Sequence, residues 1–306
     1  MAAIELDNLT KTYGDVRAND GLTLDVSEGE IFGYLGPNGA GKTTTIRLLM
    51  GFIHPTAGRA RVLGTDVTDR HALVSMKQRI GYLPDEPGFD RRDTGREVLD
   101  LHERVKGGPR RDELLALFEP PLDREIREYS RGNVRKLGLV TTFMHDPDLV
   151  ILDEPTGGLD PLLQQRFAEF LRAERDRGVT VFFSSHVLSE VRRLCDRVGI
   201  IRQGTLIEVE PVETLLHRTG KVVSVDSAEP IPADVFALDG ISDLERSSGN
   251  GGLGSAESVT NCTFTFTGNL TELLDRLSEY RLIDLTIEEA PLEDVFLQFY
   301  GGGADA

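Results

Sequence analysis

The sequence predicts an α/β protein whose central sheet is parallel and covered on both faces. Apolar runs at residues 31–35, 149–152 and 179–183 each end in polar residues, a pattern typical of buried parallel strands with functional groups at their carboxyl ends. Residues 1–28 alternate apolar and polar side chains, which favours half-buried antiparallel strands. Residues from about 86 to 145 have a mostly helical pattern. We therefore expect an α/β core with an antiparallel β subdomain and an inserted helical subdomain.

A phosphate-binding loop follows the first apolar run. It reads G-x-x-x-x-G-K-T over residues 36–43, where glycines let backbone N–H groups surround the phosphates, the lysine reaches the β/γ-phosphates and the threonine hydroxyl can ligate Mg²⁺. The next residues predict a helix whose N-terminus adds the positive end of its dipole to the site. An ordinary glycine-rich turn would not explain the lysine and threonine at this offset behind a buried strand. The residues expected to bind a nucleoside triphosphate are Gly36, Pro37, Asn38, Gly39, Ala40, Gly41, Lys42, Thr43 and Thr44.

The second and third apolar runs end in residues suited to hydrolysis of a phosphate bond. Asp153 ends the second run, where a carboxylate can hold Mg²⁺ opposite Thr43. Glu154 beside it can orient and deprotonate the attacking water. His186 follows the third run about one βαβ unit later and can donate a hydrogen bond to developing charge. The alternative, a serine nucleophile activated by His186, lacks the strained elbow which that chemistry needs. The candidate catalytic residues are Lys42, Glu154 and His186.

The order of the segments predicts two domains. The interval between Lys42 and Asp153 is far longer than the roughly 30 residues of one βαβ unit, so the helical pattern at about 86–145 is interpreted as an inserted subdomain. After about residue 218, strand-like runs and one helical run predict a small C-terminal α+β domain, with a surface loop rich in Gly and Ser at 247–255. The expected domains are 1–218 and 219–306.

The composition limits the compartment and the partners. The 306 residues carry a formal net charge of −17, and an acidic surface repels phosphate backbones, so no nucleic-acid partner is expected. The 28 Arg outnumber the 6 Lys, which fits either a halophilic protein adapted to a high-salt cytosol or an ordinary acidic protein from a GC-rich genome. No run approaches the roughly 18 apolar residues of a membrane span, and the N-terminus lacks the features of a signal peptide. We expect a cytoplasmic protein in which Cys195 and Cys262 are ordinary thiols.

Further motifs stand in a recognisable order along the chain. Tyr13 lies in K-T-Y-G, residues 130–133 read S-R-G-N, residues 157–161 read G-G-L-D-P, and His186 follows two serines. Together with the phosphate loop, these motifs resemble the nucleotide-binding subunit of ATP-binding-cassette (ABC) transporters over about residues 4–218. The resemblance therefore covers most of the first predicted domain.

The resemblance assigns roles to these motifs. It implies that Tyr13 stacks on adenine, a contact that any base can make with an aromatic ring. It implies that Ser130 and Gly132 belong to the signature sequence, usually L-S-G-G-Q, that meets a phosphate of ATP. Ser130 also suits an N-cap, which would leave backbone N–H groups at the helix end for that phosphate. Residues 157–161 then form the loop that crosses a dimer interface, and His186 is the switch histidine.

The resemblance also implies partners, cofactors and a function. Two subunits close head to tail, each ATP lying between one phosphate loop and the other subunit's signature, in a homodimer or with a paired ATPase subunit. Because no membrane span is expected, a separately encoded integral-membrane permease would use the energy of ATP hydrolysis, most simply for export. The protein would then lie on the cytoplasmic face of the cell membrane. ATP and Mg²⁺ are the expected cofactors.

Two other function classes compete with this interpretation. A soluble ABC ATPase that does mechanical or regulatory work, as in DNA repair or translation, would carry long coiled coils or a second cassette, and this sequence has neither. A P-loop GTPase would need an Asn-Lys-x-Asp motif to recognise guanine, and the chain has none.

The sequence departs from the family pattern at a few positions. Asp85 stands where the family usually has Gln, or in some branches Glu, in the loop that links Mg²⁺ and water to the helical subdomain. Its carboxylate can contact Mg²⁺, so the expected metal ligands are Thr43, Asp153 and Asp85. Arg131 and Asn133 replace a glycine and the glutamine of the signature. Residues 291–297 are similar to the end of an accessory domain on ATPases of the drug-, antibiotic- and sodium-export branch.

Overall fold

The computed structural model describes residues 1–250 and 258–289 of the chain. The strands are β1 (Ala2–Tyr13), β2 (Val16–Ser27), β3 (Ile31–Leu35), β4 (Ala57–Val62), β5 (Thr65–Asp66), β6 (Ile80–Leu83), β7 (Leu149–Asp153), β8 (Thr180–Ser185), β9 (Arg197–Arg202), β10 (Thr205–Pro211), β11 (Lys221–Ser227), β12 (Ile241–Asn250), β13 (Ser258–Phe266) and β14 (Leu282–Glu289). The α-helices are α1 (Lys42–Leu49), α2 (Arg70–Gln78), α3 (Gly95–Lys106), α4 (Arg111–Phe118), α5 (Arg131–Phe143), α6 (Pro161–Asp176), α7 (Leu188–Leu194), α8 (Val212–Thr219) and α9 (Leu270–Leu277). Short 3-10 helices lie at Ile126–Glu128 and Ala233–Phe236.

These elements form two compact units, the first covering Met1–Val212 and the second beginning at Glu213. The domain assignment made from the sequence, 1–218 and 219–306 with a helical subdomain at about 86–145, stays a prediction. In the described part of the chain, no helix is long and apolar enough to cross a lipid bilayer.

The first unit opens with an antiparallel sheet of strand order β2-β1-β4-β5. Its inward side chains, among them Ile4, Leu24 and Val62, are buried in the same apolar cluster as Phe32 of β3. The alternation of apolar and polar residues at 1–28 thus correctly predicted half-buried antiparallel strands, because one face of this sheet packs on the core and the other meets solvent.

The main sheet of the first unit has strand order β10-β9-β3-β8-β7-β6. Its interior pairs are parallel, and every residue of β3, β7 and β8 is buried. The register places Leu35 beside Ser185 and Asp153 beside Ser184. The carboxyl ends of the three apolar runs therefore meet at one edge of the sheet.

Three helices, α3 to α5, lie between β6 and β7 in the chain. Thr94 and Glu97 form a capping box that begins α3, as S/T-x-x-E sequences do. Arg110, at the start of α4, reaches the core helix α6, where its Nη2 donates to Oε1 of Glu174 at 2.8 Å. Both side chains of this ion pair are buried, so the inserted helices are held to the α/β core by charge as well as by apolar packing.

The second unit is a small α+β fold, in which strands β11 to β14 form an antiparallel sheet of order β12-β13-β11-β14. With the 3-10 helix after β11 and α9 before β14, this is a split β-α-β arrangement. Phe264, Phe266 and Leu273 are buried in its core. Strand β12 continues to Asn250, so the loop expected at 247–255 was wrong for its first four residues. The rest of that loop, 251–255, and the segment 291–297 lie outside the described residues.

His145 is a histidine of the first unit whose surroundings should make stability depend on pH. Its Nε2 lies 3.2 Å from the carbonyl of Ile80, which also accepts from Nζ of Lys106, while its Nδ1 is buried without a hydrogen-bond partner in the described structure. Burial, followed by the charge of Lys106, lowers the pKa of His145 from 6.5 to about 4. The folded chain therefore holds this imidazole neutral, although the unfolded chain protonates it below about pH 6.5.

We expect the melting temperature to fall as the pH decreases from 6.5 towards 4, because over this range the unfolded state binds the proton that the folded state rejects. In His145→Gln, which keeps an N–H donor for the Ile80 carbonyl, this fall should be smaller. The control His71→Gln removes an exposed histidine and should follow the wild type. Thermal unfolding between pH 7.5 and 4.5 checks this, and identical profiles for the wild type and His145→Gln would contradict it.

Candidate functional site

The phosphate loop connects β3 to α1 and depends on glycine where it meets α1. Gly41 has φ of 110°, and a Cβ there would lie 2.5 Å from the carbonyl oxygen of Ala18. Only glycine fits this close approach with a left-handed backbone. Among the described residues no side chain caps α1, so the positive end of the helix dipole points to the loop.

A buried polar network supports the loop from below. Asn19 of β2, which is fully buried, donates from Nδ2 to Oγ1 of Thr45 at 2.9 Å. The same hydroxyl lies 3.1 Å from the Tyr34 hydroxyl and donates to the Gly41 carbonyl at 3.2 Å. These side chains thus hold together the antiparallel sheet, β3 and the start of α1. None of them was singled out by a sequence motif.

Lys42 is buried at the first position of α1. Its Nζ donates to the carbonyls of Gly36 at 2.5 Å and Pro37 at 3.3 Å, and lies 3.5 Å from Oε1 of Glu154. The ammonium is therefore held over the loop, close to the carboxylate predicted to act on water. In this position it is available to a polyphosphate that binds the loop.

Asp153 connects the phosphate loop with β8. Its Oδ2 accepts from the Thr43 hydroxyl at 3.3 Å and its Oδ1 from the Ser184 hydroxyl at 3.1 Å. Burial raises the pKa of Asp153, and the nearby carboxylates of Glu154 and Asp85 raise it further. The site concentrates negative charge that a bound cation would stabilise.

Glu154 lies between two basic side chains. Its Oε2 is 2.9 Å from Nδ1 of His186, and its Oε1 is buried, without a hydrogen bond in the described structure, 3.5 Å from the Lys42 ammonium. The residue has φ of 49°, a left-handed conformation that costs a non-glycine residue energy. This strained turn, in which the Glu154 N–H donates to the Ser184 carbonyl at 3.1 Å, directs the side chain to the edge of the sheet.

A cavity of about 440 Å³ lies at this edge. It is lined by Val16, Arg17, Ala18, Pro37, Asn38, Gly39, Gly41, Lys42, Thr43, Thr44, Asp85, Asp153, Glu154, Gln203 and Gly204. Most of the phosphate loop, residues 37–39 and 41–44, is therefore brought to one site with Asp85, Asp153 and Glu154. His186 is not among the lining residues but contacts Glu154 from its outer side.

Sequence reasoning missed two parts of this lining, the start of β2 and the turn between β9 and β10. Gln203 and Gly204 both have positive φ, as in a two-residue hairpin turn. The Gly204 N–H donates to the Ala40 carbonyl at 2.9 Å, and the Gly204 carbonyl accepts from the Asp20 N–H at 2.8 Å. A Gln-Gly hairpin is readable from the sequence, but its docking against the phosphate loop is not.

Five of the predicted nucleotide-binding residues, Tyr13, Gly36, Ala40, Ser130 and Gly132, are not among the residues that line the cavity. Tyr13 is 45% exposed at the end of β1, with the Lys11 ammonium 5.0 Å from the centre of its ring. Ser130 caps α5 by accepting from the Asn133 N–H at 3.2 Å, as expected from the sequence. A Cβ at Gly132 would lie 2.7 Å from the Gly158 carbonyl, so the signature packs against the loop after Glu154 in its own subunit.

The comparisons with known proteins agree with this geometry. The family model described as "ABC transporter" matches residues 19–157. The bacitracin transport ATP-binding protein BcrA of Bacillus licheniformis is 33% identical over 306 residues, which cover 98% of this chain and 98% of BcrA. This chain belongs to the ABC transporter family.

Other ABC proteins support the assignment. The Nod factor export ATP-binding protein I of Paraburkholderia xenovorans is 38% identical over 240 residues, covering 75% of this chain and 78% of that protein. The solved "Structure of ATP binding subunit of ABC transporter" is 27% identical, with a TM-score of 0.65, and covers 71% of this chain and 92% of that one. The ABC fold predicted from the sequence is confirmed, and the protein is an ATP-binding ABC ATPase.

Proposed function

We propose that this ABC ATPase hydrolyses ATP at the cavity described above and drives export through a separately encoded membrane permease. The observation that carries the catalytic part is the placement of Glu154, which contacts His186 through one oxygen and presents beside the Lys42 ammonium a buried oxygen that accepts no hydrogen bond from the described residues. Similarity to the bacitracin transport protein BcrA along nearly the whole chain supports transport, and similarity to the Nod factor export protein supports export. The alternative of a soluble, non-transport ATPase has no comparable support, because the named functions among these relatives are transport and export.

The geometry suggests how the residues share the reaction. Lys42 and the backbone of the phosphate loop bind the β- and γ-phosphates. Oε1 of Glu154 accepts a hydrogen bond from the attacking water and takes its proton, while His186 orients the other oxygen of the same carboxylate. As negative charge develops on the γ-phosphate, Lys42 and His186 stabilise it by donating hydrogen bonds. Both donors are already in position before the reaction begins.

The remaining predicted sites stay part of the proposal. Tyr13 stacks on the adenine ring of ATP at the outer end of the cavity, where Val16, its strand partner, lines the wall. Ser130 and Gly132 serve the ATP of a second subunit, which agrees with their position away from the cavity of their own chain. The protein would work as a dimer on the cytoplasmic face of the membrane, held there by the permease.

The residues at the cavity suit Mg²⁺. The Thr43 hydroxyl and the Asp153 carboxylate lie 3.3 Å apart, and both are hard oxygen ligands of the kind that Mg²⁺ takes together with substrate phosphates. The metal would neutralise phosphate charge during hydrolysis. Asp85 lines the same cavity, but its carboxylate is also paired with Arg135 at 3.2 Å, so its contact with Mg²⁺ stays a prediction.

We expect ATP hydrolysis to stop when EDTA removes divalent cations and to return with MgCl₂. Thr43→Val should raise the Mg²⁺ concentration for half-maximal activity by about tenfold or more, because one of the few protein ligands is lost. Thr271→Val, an exposed threonine in the second unit, serves as the control and should leave that concentration unchanged. Undiminished hydrolysis in EDTA would overturn the metal assignment.

Glu154→Gln should reduce ATP hydrolysis by at least about a hundredfold, because the amide cannot accept the proton of water. ATP binding should persist, and the variant should form a dimer that depends on ATP. The rate of phosphate release and the mass of the complex by light scattering, both in high-KCl buffer, measure the two effects. The control Glu272→Gln changes an exposed carboxylate and should behave as the wild type, whereas an unchanged rate in Glu154→Gln would exclude this residue as the base.

A tagged protein should copurify with a polytopic membrane protein from gently solubilised membranes. Mass spectrometry of the purified complex identifies that partner, and its addition in lipid vesicles should stimulate ATP hydrolysis. Recovery of the active ATPase from the soluble fraction alone, with no membrane partner, would instead favour the mechanical or regulatory class.

A further inference from the structure

Arg135 is a buried cation that the catalytic assignment above does not use. It lies in the second turn of α5, the helix that Ser130 begins, and only 5% of it is exposed. A buried charge is costly unless it is fully paired. The partners of Arg135 therefore indicate what keeps it there.

The guanidinium group joins three segments of the first unit. Nη1 donates to the Pro84 carbonyl at 3.0 Å, and Nη2 donates to the Asp85 carbonyl at 2.6 Å and to Oδ1 of Asp85 at 3.2 Å. Nε donates to the Gly157 carbonyl at 3.4 Å. One side chain thus connects the signature helix, the loop after β6 and the loop after Glu154.

Charge and shape favour arginine for these contacts. Burial lowers the pKa of Arg135, and the nearby carboxylates of Asp85 and Asp153 oppose that effect, so the guanidinium keeps its charge. Its planar fork can donate in several directions at once. A lysine would retain the charge but could not span both loops in the same geometry.

The two loops lead directly to the reacting groups. Asp85 lines the cavity, and the Gly157 N–H donates to the Glu154 carbonyl at 3.3 Å. The signature lies at the start of the same helix, one turn before Arg135, and packs against Gly158. A shift of the first turns of α5 would therefore be passed through Arg135 to both loops.

We propose that Arg135 is a positioning residue for hydrolysis that couples the two ATP sites of the dimer. When the signature of one subunit docks on the ATP of its partner, Arg135 moves the Asp85 and Gly157 loops and so sets Glu154 in the subunit's own site. This inference rests on the proposed function, because it requires a dimer with shared ATP sites. It assigns the unusual Asp85 a second role, as the counter-charge that holds Arg135 in place.

Coupling of this kind makes hydrolysis cooperative in ATP. For two linked sites we expect a Hill coefficient approaching about 2 in the wild type. Arg135→Lys should reduce kcat by about tenfold and bring the Hill coefficient towards about 1. Binding of a fluorescent ATP analogue should stay within about twofold of the wild type, because Arg135 does not line the cavity. The control Arg104→Lys changes an exposed arginine of α3 and should leave all three quantities unchanged.

A second variant keeps the test decisive if Arg135→Lys does not fold. Asp85→Asn removes the negative charge that pairs with Arg135, from a side chain that is 58% exposed, and at saturating Mg²⁺ it should lower the Hill coefficient with a smaller loss of kcat. In the double variant the two losses should not add, because both substitutions break the same link.

Several outcomes would overturn the inference. Wild-type kcat and cooperativity in Arg135→Lys would do so, as would a wild-type enzyme that hydrolyses ATP without cooperativity. A loss of ATP affinity equal to the loss of kcat would show that Arg135 only maintains the site. Failure of the proposed function is distinguishable, because the wild type would then not hydrolyse ATP, or Glu154→Gln would form no dimer with ATP.

Discussion

The parallel register of β3, β8 and β7 is the constraint on which the rest of the site depends. Every residue of these strands is buried, and a slip of one residue would turn each side chain towards the opposite face. The register therefore fixes where the three strands end. The phosphate loop, Asp153 and His186 obtain their relative positions from backbone hydrogen bonds of the sheet, and the hydrogen bond from Thr43 to Asp153 adds to these.

Acidic and basic side chains lie close together at this edge of the sheet. Asp85, Asp153 and Glu154 line a cavity suited to an anionic substrate, and their mutual repulsion contributes to the raised pKa of Asp153. Lys42 and Arg135 each contact one of these carboxylates. We therefore expect this site to bind phosphate together with a metal cation better than phosphate alone, since the carboxylates would repel the bare anion.

The sequence predicted those parts of the site that are local in the chain. The phosphate loop is one contiguous motif, and the buried strands before Asp153 and His186 are readable as apolar runs, so their meeting at one edge could be expected. Asn19, Arg135 and Gly204 could not be assigned in this way, because none of them belongs to a motif and each contacts partners that are distant in sequence. The extent of β12 was also mispredicted, since its last residues are glycine and polar residues that pairing with β13 holds extended.

The buried ion pair of Arg110 and Glu174 has a consequence for constructing chimeras. The inserted helices begin after β6 and end before β7, so they form a segment that could be exchanged between related ATPases. Glu174, however, belongs to the recipient core, and it is nearly inaccessible to water. A grafted insertion without a cation at position 110 would leave the Glu174 carboxylate without its principal partner. Donor segments must therefore be chosen for a cation at position 110 rather than for overall similarity.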